Sequence, residues 1–434
     1  MALRLVRLAG WAVLIPFITR AQNQEGYTTK QRIETIRNLG KRDYTVIPTL
    51  AGYLGDQDRE IRIEAVNAIV RIDTEHSLDA LIQATHDKDA EVQIKATDGI
   101  VNAYLPGYVK SGLSGSVTRS VRQVKSYFSN RNDQVVEQGV IVRPDVAEAL
   151  AEEIGGGADI DARSNAARAA GILRAQPAVP ALINATHSRD SQMISECLVA
   201  LQKIHDPSAG PGISFLAGDL DERVQIAALE TIGMLRSLSS APNVRSALEH
   251  GRDAKVRRAA LESLAMLGIP GNRPVFQKWV QSSDPEMRAA ALEGLGRIRE
   301  PEDYPVIEAA YNDSDADSRV HLAAAFALAS EGKMDTSEFS PLPYLFENLD
   351  NRKNSTIATA YLTELARRQG TRAALAKLIP EAMKDQKIAL CSILAQSHAP
   401  DAVPVLTSLT KDIDPDVAFA ASRALRTVQT HGVS

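Results

Sequence analysis

Three histidines lie at matching positions along the chain and could, by residue type, bind a metal ion. Each stands three residues before an aspartate, and the pairs are His86 with Asp89, His187 with Asp190, and His250 with Asp253. Metal–ligand bonds are only about 2 Å long, so one ion cannot bridge pairs that lie in separate repeats. Matching positions elsewhere carry Gly or Asn, which suit a helix C-terminus, as does histidine near the negative end of the dipole. We therefore expect helix ends here, with no metal site and no cofactor.

Sequence motifs that carry catalytic groups are mostly missing. The chain has no Gly-x-Ser-x-Gly turn, no glycine-rich phosphate loop ending in Gly-Lys and no His-Glu-x-x-His pair. Ser408-Leu-Thr-Lys411 fits Ser-x-x-Lys, in which the lysine can activate the serine, but its companion motifs are absent. The sequence predicts no catalytic residues and a protein that is not an enzyme.

The elements that position these side chains belong to a unit that recurs along most of the chain. In Asp284–Ile298 an aspartate suited to an N-cap precedes apolar and small residues that keep one helix face apolar. Successive units step by 31, 70, 31, 31, 32, 31, 33, 37, 31 and 29 residues, a period typical of stacked helical repeats. The predicted caps are Asp58, Asp89, Asp159, Asp190, Asp221, Asp253, Asp284, Asp317, Asn354, Asp385 and Asp414.

A second, shorter helix lies upstream of each cap, as in Val46–Leu54 and Val403–Leu409. Proline falls in the first turn of several of these helices, where a missing N–H costs little. These prolines are Pro48, Pro180, Pro305 and Pro404. Each repeat is therefore predicted to be a helix pair, and the fold class to be all-α.

The helix pairs, with Asp-x-x-Val-Arg-x-x-Ala at the second helix, resemble HEAT repeats, most closely the short PBS-lyase-like form. The resemblance implies a right-handed α-solenoid of about eleven pairs. The family's arginine is matched at Arg62, Arg163, Arg257 and Arg288. Other units depart from it, at Gln93, Ile194, Gln225, His321, Ala358, Ala389 and Ala418. Any continuous series of contacts between the family's Asp and Arg residues along the stack should therefore be interrupted in this chain.

Enzymes with helical repeats provide two comparisons at the level of the family. Deoxyhypusine hydroxylases bind iron through His-Glu dipeptides, and none of the eight histidines in this chain is followed by glutamate. Phycobilin lyases remain an analogy of fold, and they suggest a lyase- or chaperone-like subunit that acts with a partner. This is one alternative to a plain binding scaffold.

The step of 70 residues contains an insertion, which we place at residues 105–144. It includes a possible amphipathic helix from about Val117 to Phe128, with Arg119, Arg122 and Lys125 off its apolar face. Residues 105–143 carry a net charge of +4. The segment is either a decayed repeat or a functional insertion that could bind an anionic membrane or another polyanion. The repeats would then cover 22–104 and 145–434.

The first 21 residues have the pattern of a secretory signal peptide. Arg4 and Arg7 precede a short apolar run, and small residues at Thr19 and Ala21 suit cleavage after Ala21. The pattern predicts export to the periplasm or the extracellular space. Cleavage would change the net charge from −5 to −8, and an acidic chain is a poor candidate for nucleic-acid binding. Cys197 and Cys391 are expected to be buried free thiols, because a bond between them would require distant repeats to touch.

With chemistry absent, the surface of the second helices is the candidate for function. In three consecutive units, a glutamate lies six residues after the apolar residue that follows the cap by three. These glutamates are Glu230, Glu262 and Glu293. These glutamates would stack as an acidic stripe on the concave face, opposite the arginines of the family motif. One interpretation is a solvated helix face, since glutamate is a good helix former. The other is a groove for a basic or polar segment of a partner protein or peptide.

Overall fold

The computed structural model describes residues 27–109, 135–137 and 140–431. Over these residues the chain is helical, without strands, and forms an all-α solenoid. It divides into two compact units, Met1–Ala209 (unit 1) and Gly210–Ser434 (unit 2). The proposed signal peptide and the charged residues Arg119, Arg122 and Lys125 lie outside the described residues.

Helix α1 is followed, in the described ranges, by eleven pairs in which a first helix (even number) precedes a second helix (odd number). Unit 1 contains α1 Thr29–Leu39, α2 Ile47–Gly52, α3 Arg59–Ile72, α4 Leu78–Ala84, α5 Ala90–Tyr104, α6 Pro144–Gly156, α7 Ile160–Ile172, α8 Val179–Ala185 and α9 Ser191–Ile204. Unit 2 contains α10 Gly210–Ile213, α11 Glu222–Met234, α12 Ala241–His250, α13 Ala254–Leu267, α14 Arg273–Trp279, α15 Pro285–Ile298, α16 Tyr304–Tyr311, α17 Ser318–Ser330, α18 Pro341–Glu347, α19 Ser355–Leu365, α20 Gln369–Leu378, α21 Lys384–Gln396, α22 Val403–Leu409 and α23 Pro415–His431.

The second helices begin where the aspartates predicted. The sequence predicts ten aspartate caps, and Asp159 and Asp385 are described separately below. At each of the other eight, a side-chain oxygen accepts a hydrogen bond from a backbone N–H of the first turn, at 2.6–3.4 Å. These residues are Asp58, Asp89, Asp190, Asp221, Asp253, Asp284, Asp317 and Asp414. Asp159 caps α7 in the same way, through the N–H of Ala162 at 2.8 Å. Each bond satisfies a donor that the helix itself leaves unpaired.

The prediction is wrong for Asp385, which lies inside the first turn of α21. That helix begins at Lys384, and its N-cap is Met383. The Met383 N–H donates to the side chain of Gln386 at 2.9 Å, so a glutamine three residues on fixes this end in place of an aspartate cap. Asp385 still places negative charge in the first turn, where the helix dipole favours it.

At three of the four matched positions, the arginine of the motif ties the start of a second helix to the end of the first helix before it, whereas Arg288 pairs with Asp313 of the next repeat at 3.2 Å. Arg62, Arg163 and Arg257 donate to the carbonyls of Asp56, Ile154 and Gly251 at 2.8–3.0 Å. Where the motif departs, Gln93, Gln225 and His321 make the same kind of bond, to the carbonyls of Asp87, Ala217 and Asp313 at 2.5–2.7 Å. The position therefore suits a long side-chain donor to an orphan carbonyl, and three residue types supply one. Alanine or isoleucine cannot, as at Ile194, Ala358, Ala389 and Ala418.

Consecutive second helices of each unit pack on one another, and the first helices cover them. In unit 2 the approach between α15 and α17 is especially close, because a Cβ added to Gly296 would lie 2.5 Å from the Cα of Ala327. Helix α17 is rich in alanine and buried along most of its length. Small residues on both helices thus let the backbones meet.

The repeats on either side of the insertion stack directly on each other. Helix α5 packs against α7, and α4 against α6. The Thr97 hydroxyl on α5 donates to Glu153 on α6 at 2.6 Å, and the Val136 N–H donates to the Ile172 carbonyl at 2.9 Å. No additional helix pair therefore separates these neighbours in the stack, and at Val136 the chain contacts the end of α7.

Both cysteines are buried free thiols, as expected. Burial raises the pKa of Cys197 to about 12 and that of Cys391 to about 11, so neither thiol is reactive at neutral pH. Within the described ranges, the helices are all too short or too polar to cross a lipid bilayer.

Candidate functional site

The second helices of unit 2 line the inner side of a tight curve. Arg236, just after α11, forms a 2.9 Å ion pair with Glu364 on α19, four repeats further on. Packed helices are spaced by about 8–10 Å, so four steps of a straight stack would separate these residues by roughly 32–40 Å. The ion pair exists only because the stack bends. The face of α11, α13, α15, α17 and α19 that lies inside this bend is called the inner face below.

Arg297 of α15 is the centre of a charged network on the inner face. Its guanidinium pairs with Glu293 one turn earlier and with Glu364 at 2.9 Å, and it donates to the Ala265 carbonyl at 3.3 Å. Its side chain is only 10% exposed. Burial raises the pKa of Glu364, but the hydrogen bonds and charges of Arg297 and Arg236 outweigh burial, so the net shift is downward. Glu364 is therefore ionised at neutral pH.

Two aromatic rings support the network from α17 and α19. The Arg297 guanidinium lies 5.0 Å from the centre of the Phe326 ring, a cation–π distance. Phe326 stacks on Tyr361 at 4.4 Å, and the Tyr361 hydroxyl donates to Glu293 at 2.7 Å. Tyr361 and Glu293 lie two repeats apart, so this hydrogen bond, like the ion pairs, spans α17 from α15 to α19.

Glu230 and Glu262 lie next to the network, and neither forms an ion pair in the described part of the structure. Burial raises the pKa of both carboxyls. For Glu262 the charges of Glu293, Glu230 and Glu286 add to burial and outweigh the opposing charges of Arg319 and Arg258, so its pKa rises to about 7. Glu262 is repelled by both Glu230 and Glu293, so the three predicted glutamates share one electrostatic environment. Four carboxylates on this face, Glu230, Glu262, Glu293 and Glu364, meet two guanidiniums, Arg236 and Arg297.

The three glutamates of the predicted stripe are not equivalent. Glu293 is 13% exposed and is satisfied internally by Arg297 and Tyr361. Glu262 is partly buried, and Glu230 keeps more of its surface exposed although the surrounding inner face still desolvates its carboxyl. Only the last two therefore have carboxylates that are free to meet a ligand, although all three occupy one face.

A second set of charges lies beside the N-termini of α15 and α17, and these charges are paired with one another. Arg258 binds Asp284 and Glu286, each at 2.7 Å, and Arg319 also binds Glu286. Lys353 lies 3.8 Å from Asp317. These contacts join neighbouring repeats and leave little charge for a ligand.

The histidines that could bind metal are placed at helix ends, as expected. Nδ1 of His86 contacts the Ile82 carbonyl at 3.0 Å, and Nδ1 of His250 contacts the Ser246 carbonyl at 3.1 Å. Nε2 of His86 also contacts Glu152 at 2.8 Å. The hydrogen bonds to Glu152 and to the Ile82 carbonyl raise the pKa of His86 and outweigh burial, which lowers it. Among the described residues, His, Cys, Asp and Glu side chains form no group that could hold a metal ion.

Sequence reasoning missed Arg236, Arg297, Tyr361 and Glu364. Arg297 had a local signal, because it follows Glu293 by four residues and so shares its helix face. Arg236 and Glu364 had none, since their contact depends on the curvature of four repeat interfaces and no sequence spacing encodes it.

Comparison with known proteins identifies the repeat. A family model described as HEAT repeats matches residues 18–100 and 241–329. No curated protein sequence matches the chain.

Three solved structures are similar at low identity. An engineered protein is 17% identical, with 88% of this chain and 98% of that chain covered and a TM-score of 0.34. Human deoxyhypusine hydroxylase in complex with glycerol is 16% identical, with 58% of this chain and 96% of that chain covered and a TM-score of 0.28. The complex of CpcE and CpcF of phycocyanin lyase from Nostoc sp. PCC7120 is 18% identical, with 74% of this chain and 94% of that chain covered and a TM-score of 0.29. At these scores the three structures carry no inference about function.

Proposed function

Because this chain is built of HEAT repeats, we propose that it is a scaffold that binds a partner protein or peptide and has no catalytic activity of its own. Stacked repeats provide a long surface whose residues come from many units, which suits extended partners. The inner face of unit 2 is the proposed binding surface. The observation that carries this proposal is the pair of carboxylates on that face, Glu230 and Glu262, that form no ion pair in the described residues.

The chemistry of these two residues indicates a basic segment as the occupant. Placing carboxylates side by side raises the free energy of the empty face, which the raised pKa of Glu262 reflects. A lysine or arginine from a partner would relieve this repulsion and replace the solvation lost by burial. Complementary charge of this kind favours specificity and rapid association.

Charge reversal at the two free carboxylates tests the proposal. We expect Glu230→Lys/Glu262→Lys to weaken capture of natural partners at least tenfold, the effect of about 1.4 kcal/mol. Residues 22–434 would be immobilised and exposed to exported proteins of the source organism, and bound proteins would be quantified by mass spectrometry. Glu293 is left intact because it holds Arg297.

Glu249→Lys is the matched control, because Glu249 is exposed on the first helix α12, away from the inner face. It should leave capture unchanged, and both variants should keep the circular dichroism spectrum of the parent. Equal capture by the parent and the double variant would refute the inner face of unit 2 as the binding surface.

We also propose that the chain is exported and cleaved after Ala21, on the pattern of its first residues. N-terminal sequencing of the protein recovered outside the cytoplasm should then begin at Gln22. Recovery of the full chain from the cytoplasm, with Met1 retained, would contradict export.

A further inference from the structure

The contact between Arg236 and Glu364 spans more repeats than the other contacts of this network. In stacked repeats, stability comes from each repeat and its immediate neighbours. This ion pair joins residues 128 positions apart in sequence, which belong to repeats separated by three others. Local stacking does not require it, and its only mechanical effect is to hold the two sides of the curve together.

The rest of the network strengthens the same closure. Glu364 also binds Arg297, and Tyr361 of the same helix donates to Glu293, so α19 is drawn towards α15 at two points. Arg236 lies at the outer end of this chain of charges, with 46% of its side chain exposed. The inner links are thus shielded from solvent, whereas the outermost one is open to water, salt and competing charges.

We propose that Arg236, Glu364, Arg297, Glu293 and Tyr361 form a latch that holds unit 2 in its tightly curved state and that opens at the Arg236–Glu364 link. In the closed state Arg236 supplies the inner face with a cation from the chain itself. A basic partner segment would compete with that guanidinium for the carboxylates, so the latch restricts access to the inner face. This consequence rests on the proposed function, whereas the mechanical role of the latch does not.

The mechanical role can be tested on the full mature chain without a partner. Spin labels at Leu238→Cys and Arg367→Cys would report the distance across the latch, because both positions are exposed and close to the linked residues. The native thiols are buried and unreactive, so they need no replacement. In the labelled chain, Arg236→Gln should lengthen and broaden the distance distribution, and Glu364→Gln should do so more strongly because it also releases Arg297.

Arg223→Gln is the control, because Arg223 lies on α11, the helix that precedes Arg236, and pairs with Asp221 of its own repeat at 3.4 Å. It should reproduce the parent distribution. Amide exchange at the end of α11 and in α19 should accelerate about fivefold in Arg236→Gln, because local opening becomes easier. Distributions and exchange rates that match the parent in both latch variants would overturn the proposal.

The effect on access separates the latch from the proposed function. If both are correct, Arg236→Gln should capture partners more strongly than the parent, because the competing guanidinium is gone. If Arg236→Gln lengthens the distance but Glu230→Lys/Glu262→Lys captures partners as well as the parent does, the latch stands and the inner face is not the binding surface. If capture depends on Glu230 and Glu262 but the distance is unchanged, the binding surface stands and the latch is refuted.

Discussion

Replacing Arg297 with methionine is expected to destabilise unit 2 by about 3–5 kcal/mol, the usual cost of removing one member of a buried ion network. Methionine preserves much of the volume and the contact with Phe326. It leaves Glu293 and Glu364 largely buried beside each other without their shared cation. The cost arises from these stranded carboxylates.

Urea unfolding followed by Trp279 fluorescence measures this change, because Trp279 lies in unit 2 and the other tryptophan, Trp11, precedes the proposed cleavage point. Arg252→Met, at an exposed position, should change stability by less than about 0.5 kcal/mol. Adding Glu293→Gln and Glu364→Gln to Arg297→Met should restore part of the loss. A loss below about 1 kcal/mol, or no recovery, would show that the network contributes little.

Glu153→Gln is expected to stabilise unit 1 at alkaline pH by up to about 4–5 kcal/mol, because burial holds the pKa of this carboxyl at about 8. The side chain is 3% exposed, its one hydrogen bond comes from Thr97, and its other oxygen has no partner. The folded-state pKa exceeds the unfolded value, so the protonated form is favoured by folding. Its contribution is complete below about pH 4.5 and is lost as pH rises to about 8.

Thermal melts at pH 5, 6.5 and 8, followed by circular dichroism, would show this linkage. The parent chain should lose stability across this range, and Glu153→Gln should flatten the profile without the penalty of ionisation. Glu148→Gln, an exposed position on the same helix α6, should follow the parent. Parallel profiles for the parent and Glu153→Gln would mean that this carboxyl does not control the pH dependence.

The fold was predictable because its signals are local. An aspartate cap, an apolar helix face and a proline in the first turn each act within one repeat, and the structure contains the helices they predict. Asp385 shows the limit of this reasoning, since the helix there begins two residues earlier than predicted and a glutamine accepts the N–H of its N-cap residue, Met383. Gln93, Gln225 and His321 show the complementary lesson, because a departure from a motif can preserve its physical role.

The candidate site was predictable only in part. Helical spacing placed Glu230, Glu262 and Glu293 on one face, and their electrostatic coupling agrees with that placement. Spacing could not show that Glu293 is neutralised by Arg297 and Tyr361, or that Arg236 reaches Glu364 across four repeats. Small rotations at each repeat interface add up to the curvature, and they depend on packing details such as the Gly296–Ala327 contact.

Proton release on binding tests most directly whether a basic ligand is held by Glu262. The pKa of this carboxyl is raised to about 7, so about half of the molecules are protonated at pH 7 before binding. Calorimetric titration of the mature chain with an oligoarginine peptide, in phosphate and in Tris at pH 7, would count the protons released. We expect up to about half a proton per bound peptide for the parent and a smaller release for Glu262→Gln. Equal binding enthalpies in both buffers, or no binding, would contradict the assignment of the inner face as a site for basic segments.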